Sequence, residues 1–377
     1  MALVNKVLVV GGGIGGMCAA IQLRKLGIAV DLVELSPDWH VYGAGITISG
    51  PSLRALRTVG VVDQVIGQGG HWSHIDICAG DGTLLNTVPV AHADGADELP
   101  PAGGILRPVL ARILAEATRT AGVDVRLGLT FEQIVQDAEG VDVHFTDGSS
   151  RRYDLVVGAD GLNSKVRAAL FPGAPEPAFS GQGSWRTVVP RTRRNSTIFM
   201  GRTTKAGLNP VSDTQSYLFV LDQRDRFDFI PAQQWPALLA DLMEEFGGAV
   251  AEVRQGLRDG SIAADRIVYR PLMGMMMPAP WHRGRVVLLG DAVHATTPHL
   301  ASGAGLAIEG AVVLAEELAR CNFLEGALAA YCGRRYDRAR LVVSSSLRMG
   351  ELERTGGSKD EHMKVMVHAM TALRAAI

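Results

Sequence analysis

The chain has 377 residues, 47% hydrophobic and 20% charged, with a formal net charge of −2, which suits one large or two intimate domains with ample core and offers no basic face for nucleic acid or an anionic membrane. Its four cysteines, Cys18, Cys78, Cys321 and Cys332, form no CxxC pair, arguing for a reducing compartment and against a cysteine metal site. No apolar run is long enough for a bilayer, and the first predicted strand starts within a few residues of Met1, so a soluble cytoplasmic protein is expected.

Lys6 to Val10 is an unbroken apolar run, the pattern of a strand buried on both faces. Gly11, Gly13 and Gly16 follow at once and fit G-x-G-x-x-G. Ile14 to Gly27 carries helical periodicity and ends on a C-cap glycine. Ile28 to Val33 is a second apolar run, closed by Glu34. This strand–turn–helix–strand unit, with an acid about 20 residues past the glycines, predicts a dinucleotide site. Gly11 permits the tight turn, Gly13 admits a pyrophosphate, and Gly16 lets helix and strand approach. The helix N-terminus offers N–H donors to phosphate, and Glu34 can accept from an adenosine ribose. FAD and NAD(P) both remain open on this stretch alone.

Glycines at 43 and 45, before a β-branched stretch, suggest backbone lying against something flat. Ser52 to Gly60 is a short helix. From about 71 to 105 an Asp81-Gly82 hairpin leaves the first domain. Leu106 to Ala121 is a helix with Pro108 in its first turn. Four strands near 123–127, 131–135, 141–145 and 153–157 read as a small antiparallel-plus-parallel meander ending in Gly158-Ala159-Asp160-Gly161. Residues 172–272 are α+β, with strands at 185–189, 196–200, 207–211 and 216–220 and a helix over about 236–246. Val286 to Asp291 is another buried strand, and helices fill the remainder.

Three patterns therefore stand in order: GxGxxG with Glu34, Gly-Ala-Asp-Gly-x-x-Ser-x-Val-Arg at 158–167, and Gly290-Asp291-Ala-Val-His294-x-x-x-Pro298. The set resembles the FAD-dependent aromatic monooxygenases of the para-hydroxybenzoate hydroxylase fold, from the first strand to about Arg340. The resemblance implies an α/β, Rossmann-like FAD-binding domain (residues 1–72, 100–172 and 273–345) with an inserted α+β substrate domain (73–99 and 173–272). A C-terminal helical segment, 346–377, either closes the domain or forms a dimer contact, so monomer and homodimer stay open. FAD is implied as a tightly held, non-covalent cofactor, with NADH or NADPH a transient reductant and no second Rossmann unit. The cofactor residues so implied are Gly11, Gly13, Ile14, Gly15, Gly16, Glu34, Leu35, Gly45, Arg107, Asp160, Asp291, Pro298, Gly303, Ala304 and Gly305. Two departures are visible. Residues 35–40 lack the arginine that relatives often carry after the ribose acid, and Gly310 replaces a frequent Asp.

The implied activity is hydroxylation of a small phenolic or hydroxypyridine-like ring by O2 through a flavin C4a-hydroperoxide, with or without loss of a ring carboxylate. Tyr217 and His299 are the catalytic candidates. Lys205 and Arg202 join them as candidates for holding the substrate, while His294 reads as a buried histidine with its hydrogen bonds made. A flavin-dependent epoxidase or an oxygenase of a polycyclic natural product or antibiotic is the alternative enzyme. A non-catalytic dinucleotide-binding regulator is the alternative from another class, and no metal is called for.

Overall fold

The computed structural model of the protein describes residues 3–39, 43–202, 204–227 and 229–377. Its organising layer is a six-stranded sheet ordered His282–Arg283, Val286–Leu288, Leu155–Gly158, Lys6–Val10, Ala29–Glu34 and Asp124–Leu127. All neighbours pair in parallel except the short strand at 282, which is antiparallel. The central strands are apolar on both faces because helices cover both. On one side the small-residue helix Ile14–Lys25 packs against Gly303–Arg320, so that Val7 to Val10, Cys18 to Ile21 and Ile308 to Leu314 share one core.

The meander expected between 123 and 157 is divided between two sheets. Asp124–Leu127 and Leu155–Gly158 join the parallel sheet, while Phe131–Gln136, Val141–Phe145 and Ser150–Tyr153 form an antiparallel three-stranded sheet. Burial decides the division. Leu155, Val156 and Val157 are fully buried, whereas the antiparallel strands alternate inward and outward residues.

The inserted region builds a seven-stranded sheet ordered Ile267–Gly274, Ala178–Pro190, Gln215–Gln223, Lys205–Pro210, Ser196–Met200, His74–Ala79 and Leu84–Pro89. The early hairpin thus supplies its far edge. Ile267–Gly274 was not anticipated as a strand, and neither was the helix Gly248–Arg258 beyond the expected one, which runs Trp235–Leu242. Those two helices cover the outer face, where Trp185, Trp235 and Tyr269 cluster. The inner face turns toward the first sheet. Small strands at Gly45–Ser49, Gly70–Trp72 and Ala102–Leu106 lie at the junction.

The proposed division at 345/346 falls inside one continuous helix, Leu324–Arg354, which packs on Gly303–Arg320 and reaches the substrate-sheet strand Ala178–Pro190. Lys359–Arg374 folds back upon it. Its foundation is a buried ion cluster: Glu309 (2% exposed) accepts from Arg335 (1% exposed) at 2.8 Å and from Arg338 at 2.7 Å. Burial pushes the Glu309 carboxyl up, but the two guanidinium groups outweigh it and hold it below its usual range. Replacing Glu309 with Leu strands two cations at this joint and should cost about 3–5 kcal/mol. Urea unfolding checks this; a loss under about 1 kcal/mol would mean that the cluster is solvated.

Candidate functional site

Gly11 is held at φ +106°, and a Cβ there would strike the Ala159 carbonyl. A Cβ on Gly16 would run into the Gly11 carbonyl oxygen. Gly13 differs: a Cβ would meet nothing within 4 Å, so its backbone faces open space at the helix N-terminus. Ile14 and Gly15 begin the helix, and Gly15 packs on Leu289 and Ala307. Glu34 already accepts from the Gly12 N–H at 2.7 Å and the Ser36 N–H at 2.8 Å, which locks the turn against the end of the second strand. Leu35 beside it is exposed. Trp39, absent from the expected set, donates its indole N–H to the Gly12 carbonyl at 2.8 Å and lies under Arg119.

Asp160 accepts from the Ser164 hydroxyl at 2.5 Å and the Val166 N–H at 3.1 Å. Its carboxylate is therefore engaged in starting the helix Lys165–Leu170.

The other end of the groove forms where Gly290, at φ +69°, hands the chain to Asp291. Asp291 keeps accessible surface, yet the surrounding protein desolvates its carboxyl and pushes it up, an effect that Arg107 opposes. Arg107 opens the helix Arg107–Thr120 and lies against Gly43, with its Nε buried and lacking a partner. Pro298 begins a single helical turn, and Ala301 follows at φ +50°. Ser302 turns its hydroxyl back to the Leu300 carbonyl at 2.7 Å, leaving the first amides of Gly303–Arg320 without a side-chain cap. Gly303, Ala304 and Gly305 thus present backbone donors and the positive end of an 18-residue helix.

On the substrate side, a Cβ at Gly45 would collide with the Tyr217 ring, so the flat object behind this glycine is a side chain of the opposite domain. Tyr217 Oη lies 2.8 Å from Thr47 Oγ1, and Asn209 Nδ2 donates to both, at 3.0 and 3.1 Å. Ser196 completes the chain by donating to Asn209 Oδ1 at 2.6 Å. Val211, Ala44, Leu106, Val188 and Phe219 pack around the phenol.

His299 and Lys205 do meet, through a residue that the sequence did not reveal. Glu353, near the end of the long helix, accepts from Lys205 Nζ at 2.5 Å and lies 2.9 Å from His362 Nε2. His299 Nε2 is 3.4 Å from its other oxygen, without good hydrogen-bond geometry, while Nδ1 is 2.9 Å from Thr297 Oγ1. The imidazole is fully buried, which pushes its pKa down against the pull of Glu353. Arg202 is 90% exposed and pairs with Glu245, apart from this group.

His294 departs from expectation: it is buried, but neither ring nitrogen has a protein partner. Packed beside Trp281, it stays neutral because burial, and then Arg335, push its pKa down to about 4.

Open space beside the glycine turn, a guanidinium whose buried Nε lacks a partner, a carboxyl at a second strand end and an uncapped helix N-terminus suit one extended dinucleotide with a hydroxylated chain. These features and the separate antiparallel sheet define an FAD-dependent monooxygenase of the para-hydroxybenzoate hydroxylase fold. The chain belongs to the FAD binding domain family, whose pattern it matches over residues 5–346. It is 33% identical over 350 residues to the putative FAD-dependent monooxygenase YetM of Bacillus subtilis, covering 90% of this chain and 91% of that one. With 6-hydroxynicotinate 3-monooxygenase of Bordetella bronchiseptica it shares 30% identity over 82% of this chain and 81% of the relative. The structure of Klebsiella pneumoniae HpxO complexed with FAD and uric acid superposes with a TM-score of 0.83 at 25% identity, covering 98% and 92% of the two chains.

His294 makes stability depend on pH. Its folded pKa of about 4 lies below the ordinary 6.5, so the unfolded chain takes the proton first as pH falls. Stability should drop by about 3 kcal/mol between pH 6.5 and 4, and this share should be missing in His294→Phe. Urea unfolding of both proteins across that window measures it; parallel curves would remove His294 as the cause.

Proposed function

We propose that the protein is a single-component, NAD(P)H-consuming hydroxylase of a small phenolic or hydroxypyridine-like ring. The observation that carries this is the Tyr217 phenol, fixed by Thr47 from the cofactor side and Asn209 from the substrate sheet. It presents a hydroxyl beside the apolar side chains of Val211, Ala44, Val188 and Phe219, an arrangement that orients a flat ring by its hydroxyl. The substrates named for relatives, 6-hydroxynicotinate and uric acid, are flat heteroaromatic rings and support the same class here.

When bound, FAD supplies the redox chemistry, taking a hydride from the reduced nicotinamide and activating O2, one atom of which goes to the ring and the other to water. The chain's own contributions are positional and electrostatic. Gly13 and the amides behind it receive the pyrophosphate, while Asp291 and Arg107 hold the hydroxylated chain. The first-turn amides of Gly303–Arg320 stabilise negative charge at the ring edge. Phe219, Val211 and Ala44 exclude water. His299 acts as a fastener of the Pro298 loop, since Thr297 and Glu353 flank its two nitrogens. A cleft of about 1300 Å3 between the helix Arg107–Thr120 and the substrate sheet, where Arg112, Arg119, Arg266 and Arg270 outnumber Asp38 and Asp265, supports entry of an anionic dinucleotide as reductant. Residues 1–72, 100–172 and 273–345 would then form the cofactor body, and 73–99 with 173–272 the substrate body.

Hydroxybenzoates, hydroxypyridines, hydroxynicotinates and urate, screened with NADH and NADPH in air, should include a ring that stimulates reductant oxidation and yields a product one oxygen heavier. Product formed without O2, or no stimulation by any ring, would overturn the assignment. Asp291→Ala should weaken FAD binding about 10–100-fold in fluorescence titrations of apoprotein. Tyr217→Phe should retain FAD yet lower kcat/KM for the ring by about the same factor; an unchanged ratio would take Tyr217 out of the site.

A further inference from the structure

Anion recognition was expected at Lys205 and proton transfer at His299, yet both are turned to one carboxylate, that of Glu353. Its Oε1 accepts from Lys205 Nζ at 2.5 Å and faces His362 Nε2 at 2.9 Å. Its Oε2 accepts from Gln182 Nε2 at 3.4 Å and lies 3.4 Å from His299 Nε2. The Glu353 carbonyl takes a further bond from Gln223 Nε2 at 3.3 Å. Gln182, Gln223 and Lys205 stand on three successive strands of the substrate sheet. One helix end thus meets that sheet, the turn at Pro298 and the closing helix together.

Gly350 permits the close approach. A Cβ there would lie 2.6 Å from Gln182 Oε1 and 3.0 Å from His299 Cε1, so the imidazole packs directly on the helix backbone.

Burial lowers the His299 pKa against the pull of Glu353, so the ring is neutral at neutral pH and one nitrogen carries the proton. Burial would raise the Glu353 carboxyl, but its histidine and lysine partners hold it far below its usual range, and it stays ionised. Two tautomers are open to His299. With the proton on Nδ1, that nitrogen donates to Thr297 Oγ1 and the Nε2 lone pair faces a carboxylate oxygen. With the proton on Nε2, its positive end faces the carboxylate and Nδ1 accepts from the Thr297 hydroxyl at 2.9 Å. The first sets lone pairs against each other in a buried place where water screens little; the second is attractive at both nitrogens.

We propose that Glu353 is a positioning residue that fixes His299 as its Nε2–H tautomer and, through Thr297, holds the Pro298 turn in place against the substrate sheet. This rests on the hydroxylase reading above, in which that turn borders the flavin ring. Both imidazole nitrogens are then engaged, so His299 shapes the wall and takes no proton from the ring hydroxyl. A misplacement of the turn changes the distance between the ring and the flavin, to which the rate of oxygen transfer is steeply sensitive.

Histidine-ring 15N spectra of the FAD-loaded protein, with the His299 signals assigned by their loss in His299→Gln, test this without substrate. The wild type should show a protonated Nε2 and a bare Nδ1. Glu353→Gln should reverse the pattern, because an amide N–H facing the imidazole calls for a lone pair on Nε2. Lys205→Met keeps the carboxylate and should leave Nε2–H in place. Thr297→Val should do the same, and it serves should Glu353→Gln fail to load FAD. Nδ1–H in the wild type, an unchanged tautomer in Glu353→Gln, or loss of Nε2–H in Thr297→Val would each overturn the proposal. With a ring that stimulates reductant oxidation, Glu353→Gln should form about 10–100-fold less product per reductant consumed, the balance appearing as peroxide. Its FAD affinity should change by under about 3-fold. A full yield beside a reversed tautomer would also overturn the positioning role. If no ring stimulates reductant oxidation, the hydroxylase reading fails, and the spectra still decide whether Glu353 sets the tautomer.

Discussion

Three parallel strands end level with one another, and the site follows from that alignment. Val10 pairs with Gly158, and Gly158 with Leu288, so the turns after all three strands open on one edge of the sheet. Backbone donors freed at those ends gather where a ligand of an open α/β sheet binds. The alignment holds because the strands are buried on both faces and cannot slip without exposing Val7 to Val10 or Leu155 to Val157. The close approach of Gly16 to the Gly11 carbonyl then seats the first helix directly on the turn. The turns that carry Gly11, Asp160 and Asp291 thereby lie along one edge of the sheet despite 280 positions of sequence.

What the parallel sheet does for the cofactor, the second sheet does for the face opposite. Its inner surface grades from apolar residues around Tyr217 to arginines facing the cleft, and its outer surface is sealed by Trp185 and the covering helices. The Tyr217–Thr47–Asn209 linkage crosses the junction. A side chain at Gly45 would separate the two sheets at this point.

Legibility followed the range of the interactions. Lys6 to Val10, the glycine turn and Glu34 declared themselves because their chemistry is local and their period unbroken. Ile267–Gly274 escaped because Arg270 and Pro271 interrupt its apolar pattern, although pairing with Ala178–Pro190 makes it an edge strand where both are tolerated. Gly43 and Gly45 were recognisable as close approaches, but what approaches, Arg107 and Tyr217, comes from elsewhere in the chain. Lys205 and His299 stood out as polar residues near the expected site. Their shared partner, Glu353, lies 148 positions from Lys205 and nothing local announces it.

Glu353 also explains why the last helices belong to the catalytic architecture. Leu324–Arg354 starts on the cofactor body and ends against the substrate sheet, where a Cβ on Gly350 would press on His299 and Gln182. Its terminal carboxylate then gathers the sheet through Lys205, the Pro298 loop through His299 and the closing helix through His362. Those surroundings hold the Glu353 carboxyl far below its usual range although burial alone would raise it. Removing that charge would leave Lys205 without this carboxylate at the rim of the sheet. The segment expected to close the domain or form a dimer contact thus touches both the Pro298 turn and the substrate sheet.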